Sequence, residues 1–212
     1  MPDKIEEVRG QKAIIRFDAA RCIHSRNCVL GRPDVFVPNV KGDWIFPDRA
    51  TPEEVAELAH NCPSGAITYE LVHGGGEVGP KVNTVRVREN GPLAIHAELV
   101  IGGADAGHRA TLCRCGASRN KPWCDGSHVA AGFTATGEPA TAESQPLAVR
   151  DGPVTVAPLP NGPLQVKGPL EVVSGTGRTI NRVQETYLCR CGASRNKPYC
   201  DGSHKAAGFT AP

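Results

Sequence analysis

Two stretches of this chain are nearly the same sequence. Residues 112–135 read LCRCGASRNKPWCDGSHVAAGFTA and residues 188–211 read LCRCGASRNKPYCDGSHKAAGFTA; over 24 positions only Trp123/Tyr199 and Val129/Lys205 differ. Each copy carries C-x-C-x8-C-x3-H, as Cys113, Cys115, Cys124 and His128 and then Cys189, Cys191, Cys200 and His204. Three thiols and one imidazole make a four-ligand metal set. The chain must therefore fold twice around a metal centre.

The spacing bears on the metal. Zinc accepts three Cys and one His, but its cysteines are usually separated by two to four residues. Cys113 and Cys115 are separated by one residue, as are Cys189 and Cys191, which suits two corners on one iron. Cys124/His128 and Cys200/His204 are four apart, the spacing of two side chains on one face of a helical turn. That second pair suits the other iron of a [2Fe–2S] rhomb. Spacing alone favours the cluster and leaves zinc open.

The full pattern C-x-C-x2-S-x3-P-x-C-D-G-S-H is matched in both copies, through Ser118, Pro122, Asp125, Gly126 and Ser127, and through Ser194, Pro198, Asp201, Gly202 and Ser203. It resembles the CDGSH iron–sulfur (mitoNEET-like) family. The resemblance implies a [2Fe–2S] cluster on three Cys and one His in each copy. It implies that Cys113/Cys115 and Cys189/Cys191 hold the inner irons, and Cys124/His128 and Cys200/His204 the outer ones. Members of that family usually form a dimer with a shared β framework, so two copies in one chain imply a monomer with an internal pseudo-dimer. The copies extend upstream, where Asn90-Gly-Pro-Leu and Asn161-Gly-Pro-Leu each precede β-type alternation. Between that tetrapeptide and the first Cys the second copy is five residues longer, most simply as a loop over 174–182. Asp125 or Asp201 is the expected N-cap of a short helix, and Gly132 or Gly208 its stop.

Six of the nine cysteines belong to the repeats, which leaves Cys22, Cys28 and Cys62. Ferredoxins use C-x2-C-x2-C followed by a remote C-P. Here Cys22-Ile-His24-Ser25-Arg-Asn-Cys28 keeps the outer two cysteines with Ser25 at the middle position, and Cys62-Pro63 supplies the remote one. Residues 13–72 resemble single-cluster ferredoxins lacking the second cysteine, and divergent ferredoxin domains with C-x-H-x3-C. Three thiolates suit a [3Fe–4S] cluster. A [4Fe–4S] cluster is the alternative, with a fourth ligand from Ser25, His24 or solvent. Residues 13–17 and 67–72 read as strands that can pair. Thr51-Pro-Glu-Glu54 is a capping box that opens a helix running to about His60 and delivers Cys62.

Composition enters where it excludes. Gly and Pro number 24 and 18, so the chain is rich in turns and its core is thin, the setting in which metal supplements folding. No apolar run is long enough to cross a bilayer. The odd cysteine count, absorbed by clusters, suits a reducing compartment, and a cytoplasmic location is expected. The formal charge is +2, with no Lys/Arg run or aromatic platform, which argues against nucleic acid.

The polar stretches 74–80 and 137–145 read as linkers. They divide the chain into a ferredoxin-like module over 1–76 and CDGSH segments over 81–137 and 146–212. The fold class expected is α+β, with a small α+β module followed by a mostly β region with strands near 84–88, 93–101, 154–156 and 164–173. His60, His73, His96 and His108 lie outside ligand spacing, and Arg119, Lys121, Arg195 and Lys197 read as solvated loop charges.

No nucleophile–base set, phosphate loop or nucleotide fingerprint is present, so the chain is expected not to be an enzyme. The function expected is one-electron transfer to a redox partner protein. Cluster or iron transfer to an acceptor, or redox or pH sensing, is the alternative.

Overall fold

The structure, a computed structural model, describes residues 5–212. The chain divides into two compact units, one up to Val78 and one over Gly79–Pro212. No helix among the described residues is long and apolar enough to cross a membrane.

The first unit is a three-stranded antiparallel sheet carrying a helix. Its strands are β1 (Ile5–Arg9), β2 (Ala13–Asp18) and β3 (Ile67–Leu71), in the order β1-β2-β3. The two strands expected from sequence are antiparallel neighbours, from Ala13 opposite Leu71 to Phe17 opposite Ile67. β1 escaped the sequence reading because IEEVR is charged and half exposed, as an edge strand should be. Helix α1 (Asn27–Gly31) is one turn, and α2 (Pro52–His60) is the expected capped helix. Thr51 Oγ1 accepts the Glu54 N–H at 3.3 Å while Glu54 Oε2 accepts the Thr51 N–H at 2.8 Å. The helix buries Val55, Leu58 and Ala59 with Ile15, Val35, Phe36 and Ile45. Its end is tied directly to Cys62, whose N–H donates to the Ala59 carbonyl at 3.0 Å.

The second unit is one sheet to which both repeats contribute. The first repeat supplies β4 (Thr84–Val87), β5 (Leu93–His96), β6 (Glu98–Ile101), β7 (Ala104–Asp105) and β8 (Arg109–Leu112), then helix α3 (Ser127–Ala130). The second supplies β9 (Pro153–Pro158), β10 (Leu164–Val173), β11 (Thr179–Leu188) and helix α4 (Ser203–Ala206). The order is β7-β6-β9-β10-β4-β5-β8, with β11 also on β10. The repeats exchange strands reciprocally. β6 pairs parallel with β9, Val100 opposite Thr155, and β10 pairs parallel with β4, Glu171 opposite Thr84. Those two pairs are equivalent under the 71-residue offset of the copies, so each repeat covers the edge the other leaves open. The inward residues, Val85, Val87, Leu93, Ile95 and Leu99 from one copy and Val154, Val156, Leu164, Val166 and Leu170 from the other, form one core.

Two expectations are corrected in detail. The extra residues of the second copy do not form a loop over 174–182. Residues 174–178 make a turn closed by Ser174 N–H to Arg178 O at 2.8 Å, and β11 begins at Thr179, so most of the insertion lengthens a hairpin. The N-cap positions of α3 and α4 are Gly126 and Gly202, at φ +82 and +84, rather than the aspartates. The polar stretch 137–145 is free of strand but not loose: Glu138 Oε1 accepts the Thr176 N–H at 3.0 Å, and Ala142 N–H donates to Ile180 O at 2.8 Å.

The two ligand loops meet back to back, with Cys115 and Cys191 forming an antiparallel bridge. A Cβ on Gly116 would lie 2.5 Å from the Cys191 oxygen, and one on Gly192 2.4 Å from the Cys115 oxygen. Gly126 shares the φ of +82 seen at Gly116 but has open space around it. Gly126→Ala should therefore cost only the left-handed strain of about 1–2 kcal/mol. Gly116→Ala adds a backbone overlap and should lower the melting temperature of the loaded protein further. Equal melting temperatures for the two variants would contradict the close approach.

Candidate iron–sulfur centres

In each repeat the potential ligands come in two pairs. Cys113 and Cys115 Sγ are 3.8 Å apart, and Cys189 and Cys191 Sγ 3.7 Å. His128 Nδ1 lies 3.5 Å from Cys124 Sγ, and His204 Nδ1 3.4 Å from Cys200 Sγ. Two sulfurs on one tetrahedral metal at about 2.3 Å are separated by about 3.7 Å, and a sulfur and a nitrogen by about 3.5 Å. Each pair thus has the bite of one tetrahedral metal. Among the described residues no three Cys, His, Asp or Glu groups converge to hold a single metal ion. Donors that come in pairs of one-metal bite suit the two irons of a [2Fe–2S] rhomb.

The loops are shaped to hold thiolates. The N–H two residues beyond a cysteine donates back to its sulfur at 3.4 Å in Ala117 to Cys115, Gly126 to Cys124, Ala193 to Cys191 and Gly202 to Cys200. Such bonds favour the charged sulfur. Cys113 and Cys115 share a hydrogen bond between their sulfurs, which lowers the Cys113 thiol and raises that of Cys115. Burial pushes the Cys124 thiol up to about 11. Burial also lowers the His128 pKa, against Asp125 and with Arg114, which keeps the imidazole neutral and able to ligate near neutral pH.

The motif's other residues brace these loops. Ser118 Oγ donates to Trp123 O at 2.6 Å and accepts Asn120 N–H at 3.0 Å; Ser194 does the same with Tyr199 and Asn196. Lys121 and Lys197, expected to be solvated, instead donate to the carbonyls of Ser118 and Ser194. Asp125 is held by backbone N–H groups of its own loop. Its Oδ1 accepts Ser127 N–H at 3.0 Å and its Oδ2 accepts Arg119 N–H at 2.9 Å. Burial alone would raise its pKa, but the Ser127 and Arg119 hydrogen bonds outweigh that and hold it at about 2.

In the first unit Cys22, Cys28 and Cys62 line a cavity of about 510 Å³ walled by Phe17, Val29, Trp44, Ala66 and Ile67. His24 and Ser25 also face it. His24 adopts φ +53 and Arg26 φ +64, so the loop turns twice through left-handed backbone to wrap the cavity. This brings the His24 N–H to Cys22 Sγ at 3.4 Å and its Nδ1 to 4.0 Å from the same sulfur. Asn27 Nδ2 donates to Asn61 O at 2.8 Å and fixes the loop to the end of α2. Burial raises the Cys22 and Cys28 thiols, and Cys62 across the same cavity raises both further.

Three residues were missed from sequence. Ser64, 2% exposed, lies with its Oγ 3.6 Å from Cys62 Sγ. Arg114 and Arg190, each 1% exposed, sit between the paired cysteines of the repeats. Their place between paired cysteines is visible in sequence, but their burial depends on distant acceptors at Gly91, Ala135, Gly162 and Pro212. His60, by contrast, packs edge-on against Tyr69 at 5.9 Å, and His108 lies beside Gly79 with its Nδ1 buried.

The family model described as "Iron-binding zinc finger CDGSH type" matches residues 71–129 and 161–205. The chain belongs to the CDGSH iron–sulfur family. Residues 8–71 match a second model, "Divergent 4Fe-4S mono-cluster", so an N-terminal iron–sulfur module precedes the two CDGSH segments. The uncharacterized protein YjdI, from Escherichia coli strain K12 and from Escherichia coli O157:H7, is 41% identical over 61 residues, which cover 28% of this chain and 78% of the relative. Iron–sulfur binding is the role these matches support.

Asp125 yields a test with a defined pH window. Its carboxyl is depressed from an ordinary 3.8 to about 2, so its contribution is constant above about pH 4 and is lost only as pH falls through about 2. Asp125→Ala removes both acceptors and should cost about 1–2 kcal/mol at pH 7 and speed the loss of visible absorbance. Asp125→Asn, which keeps one acceptor, should lose less. A wild-type rate in the alanine variant would show that the carboxylate does not brace the loop.

Proposed function

We propose that this chain is an electron carrier with three iron–sulfur clusters and no catalytic role of its own. Cys113, Cys115, Cys124 and His128 hold one [2Fe–2S] cluster, and Cys189, Cys191, Cys200 and His204 the second. Cys22, Cys28 and Cys62 hold a [3Fe–4S] cluster, or a [4Fe–4S] cluster with His24, Ser25 or solvent at the fourth iron. Residues 81–137 and 146–212 form an intramolecular pseudo-dimer, a reading supported by their reciprocal strand exchange. The observation that carries the proposal is the division of each four-ligand set into two pairs of one-metal bite. A bound cluster supplies a one-electron couple. The residues around it set its potential and its exposure. A neutral His in place of a thiolate removes negative charge and should raise the potential above that of an all-Cys site. The N–H groups on the sulfurs act in the same direction.

Cluster transfer is the second reading, favoured by one observation. His128 and His204 are partly exposed, so an acceptor reaches a histidine ligand of each copy directly, although Cys124 beside His128 is 3% exposed. The two readings separate cleanly. A carrier cycles repeatedly between dithionite and oxidant with its iron retained, and passes electrons to a redox partner protein. A donor delivers an intact cluster to an apo acceptor and loses its own absorbance stoichiometrically. We expect retention; quantitative transfer with each cycle would reverse the assignment.

The histidines give a pH test. Protonated imidazole cannot ligate, and burial lowers the His128 pKa from its ordinary 6.5, so absorbance loss should accelerate only as pH falls below that value. His128→Cys combined with His204→Cys should slow that loss and lower the potential of both sites. Unchanged acid lability in the double variant would remove the histidines from the ligand set.

The N-terminal site is read by EPR. An oxidised [3Fe–4S] cluster is paramagnetic, whereas oxidised [2Fe–2S] and [4Fe–4S] clusters are silent. Oxidised protein should give one signal that Ser25→Cys abolishes on reconstitution. An anaerobic preparation that stays EPR-silent when oxidised would assign [4Fe–4S] to this site.

A further inference from the structure

Cys22, Cys115, Cys124, Cys191 and Cys200 each accept the backbone N–H of the residue two places on, at 3.4 Å. Such a donor belongs to the main chain and is the same whatever the side chain. At Cys62 the residue two places on brings a side chain instead. Ser64 Oγ lies 3.6 Å from Cys62 Sγ. Sulfur is a large, weak acceptor, and hydroxyl contacts to it are correspondingly long.

Ser64 is 2% exposed and Cys62 7%, and both line the N-terminal cavity. A buried hydroxyl is costly unless its hydrogen is donated. Ser64 Oγ already accepts the Ala66 N–H at 3.3 Å, which occupies a lone pair and leaves the hydrogen for a second partner. The turn that carries the hydroxyl is anchored at both ends. Cys62 N–H donates to Ala59 O at 3.0 Å at the end of α2, and Asp18 N–H at the end of β2 donates to Ala66 O at 2.8 Å. Between them Gly65 N–H donates to Cys62 O at 3.3 Å, with Gly65 at φ +66. Between a thiol and a hydroxyl either atom can donate. A sulfur that ligates iron is a thiolate without a hydrogen, so in the loaded site the hydroxyl is the donor.

We propose that the Ser64 hydroxyl donates to the Cys62 thiolate of the N-terminal iron–sulfur site and holds the reduction potential of that site up. This rests on the reading of Cys22, Cys28 and Cys62 as cluster ligands. Ser64 acts through the Cys62 sulfur and is a positioning residue. When the site accepts one electron from a redox partner, part of the added negative charge falls on the ligand sulfurs. A donor aimed at the sulfur stabilises the reduced form more than the oxidised one. The apolar wall of Phe17, Val29, Trp44 and Ile67 limits screening by water and strengthens the effect.

The test is a redox titration of the full chain loaded with its clusters, followed by EPR, on the wild type and on Ser64→Ala, Ser64→Thr and Ser64→Val. Thr and Val are close in shape and differ in the hydroxyl, so that pair separates hydrogen bonding from packing. Ser64→Ala and Ser64→Val should shift the midpoint of the N-terminal site downward and leave the two CDGSH sites unmoved. Ser64→Thr should stay near the wild type. Loaded in D2O, Ser64→Ala should lack a deuteron coupling that the wild type shows by pulsed EPR. An unmoved midpoint in Ser64→Ala, a Thr shift as large as that of Val, or unchanged deuteron couplings overturns the proposal. Where the added methyl of Thr and Val prevents loading, the alanine midpoint and its deuteron coupling decide. If Ser64→Ala itself cannot hold the N-terminal cluster, Ser64 is a strut of the turn and the proposal falls. A wild type whose iron and acid-labile sulfide never exceed what the two repeat sites hold, even after anaerobic reconstitution, would instead reject the iron–sulfur reading of this site.

Discussion

The second unit is organised around the contact of two glycines with two cysteine carbonyls. At Gly116 and Gly192 the opposing backbone comes so near that no Cβ can be accommodated. That approach fixes the two ligand loops back to back and joins Cys115 to Cys191. The strand exchange follows from the same arrangement. Once the loops are locked, β6 falls beside β9 and β4 beside β10, and neither copy retains a complete sheet or core of its own. The metal sites and the hydrophobic core are consequently one cooperative structure, and cluster binding contributes to its folding free energy.

Burial is graded across each site. Cys113, Cys124 and Cys189 are buried, while Cys115, Cys191, Cys200 and both histidines are partly exposed. The enclosed side chains of Arg114 and Arg190 follow directly on the buried Cys113 and Cys189 in the same loops. The N-terminal site uses other means. Left-handed backbone at His24 and Arg26 wraps a loop around an apolar cavity, and a capped helix brings the third cysteine up from the far side. In both units a backbone N–H on a ligand sulfur recurs at the same 3.4 Å.

Much of this was legible in the chain because the informative residues are local. The capping box at Thr51, the ligand spacing and the strand over Leu164–Val173 need only neighbours in sequence to be read. What was not legible depends on partners distant in sequence. The parallel exchange of β6 and β10 is invisible in strands that read as ordinary hairpin members. The insertion in the second copy looks like a loop until its pairing with β10 turns it into strand. The burial of Arg114 and Arg190 follows only once the NGPL turns and the segments after each helix are folded over them. Asp125 has the right chemistry for a cap at the wrong position, because the cap takes left-handed backbone, which favours Gly126, while the carboxylate bonds from one residue upstream.

The division of ligands into two one-metal pairs per repeat is the central claim, and metal stoichiometry tests it most directly. Iron, zinc and acid-labile sulfide should be counted per chain on anaerobically purified protein. Two [2Fe–2S] clusters with one [3Fe–4S] or [4Fe–4S] cluster predict about seven to eight iron and about eight sulfide per chain, with no zinc. About one zinc per repeat, with sulfide no greater than the N-terminal cluster alone supplies, would contradict the account.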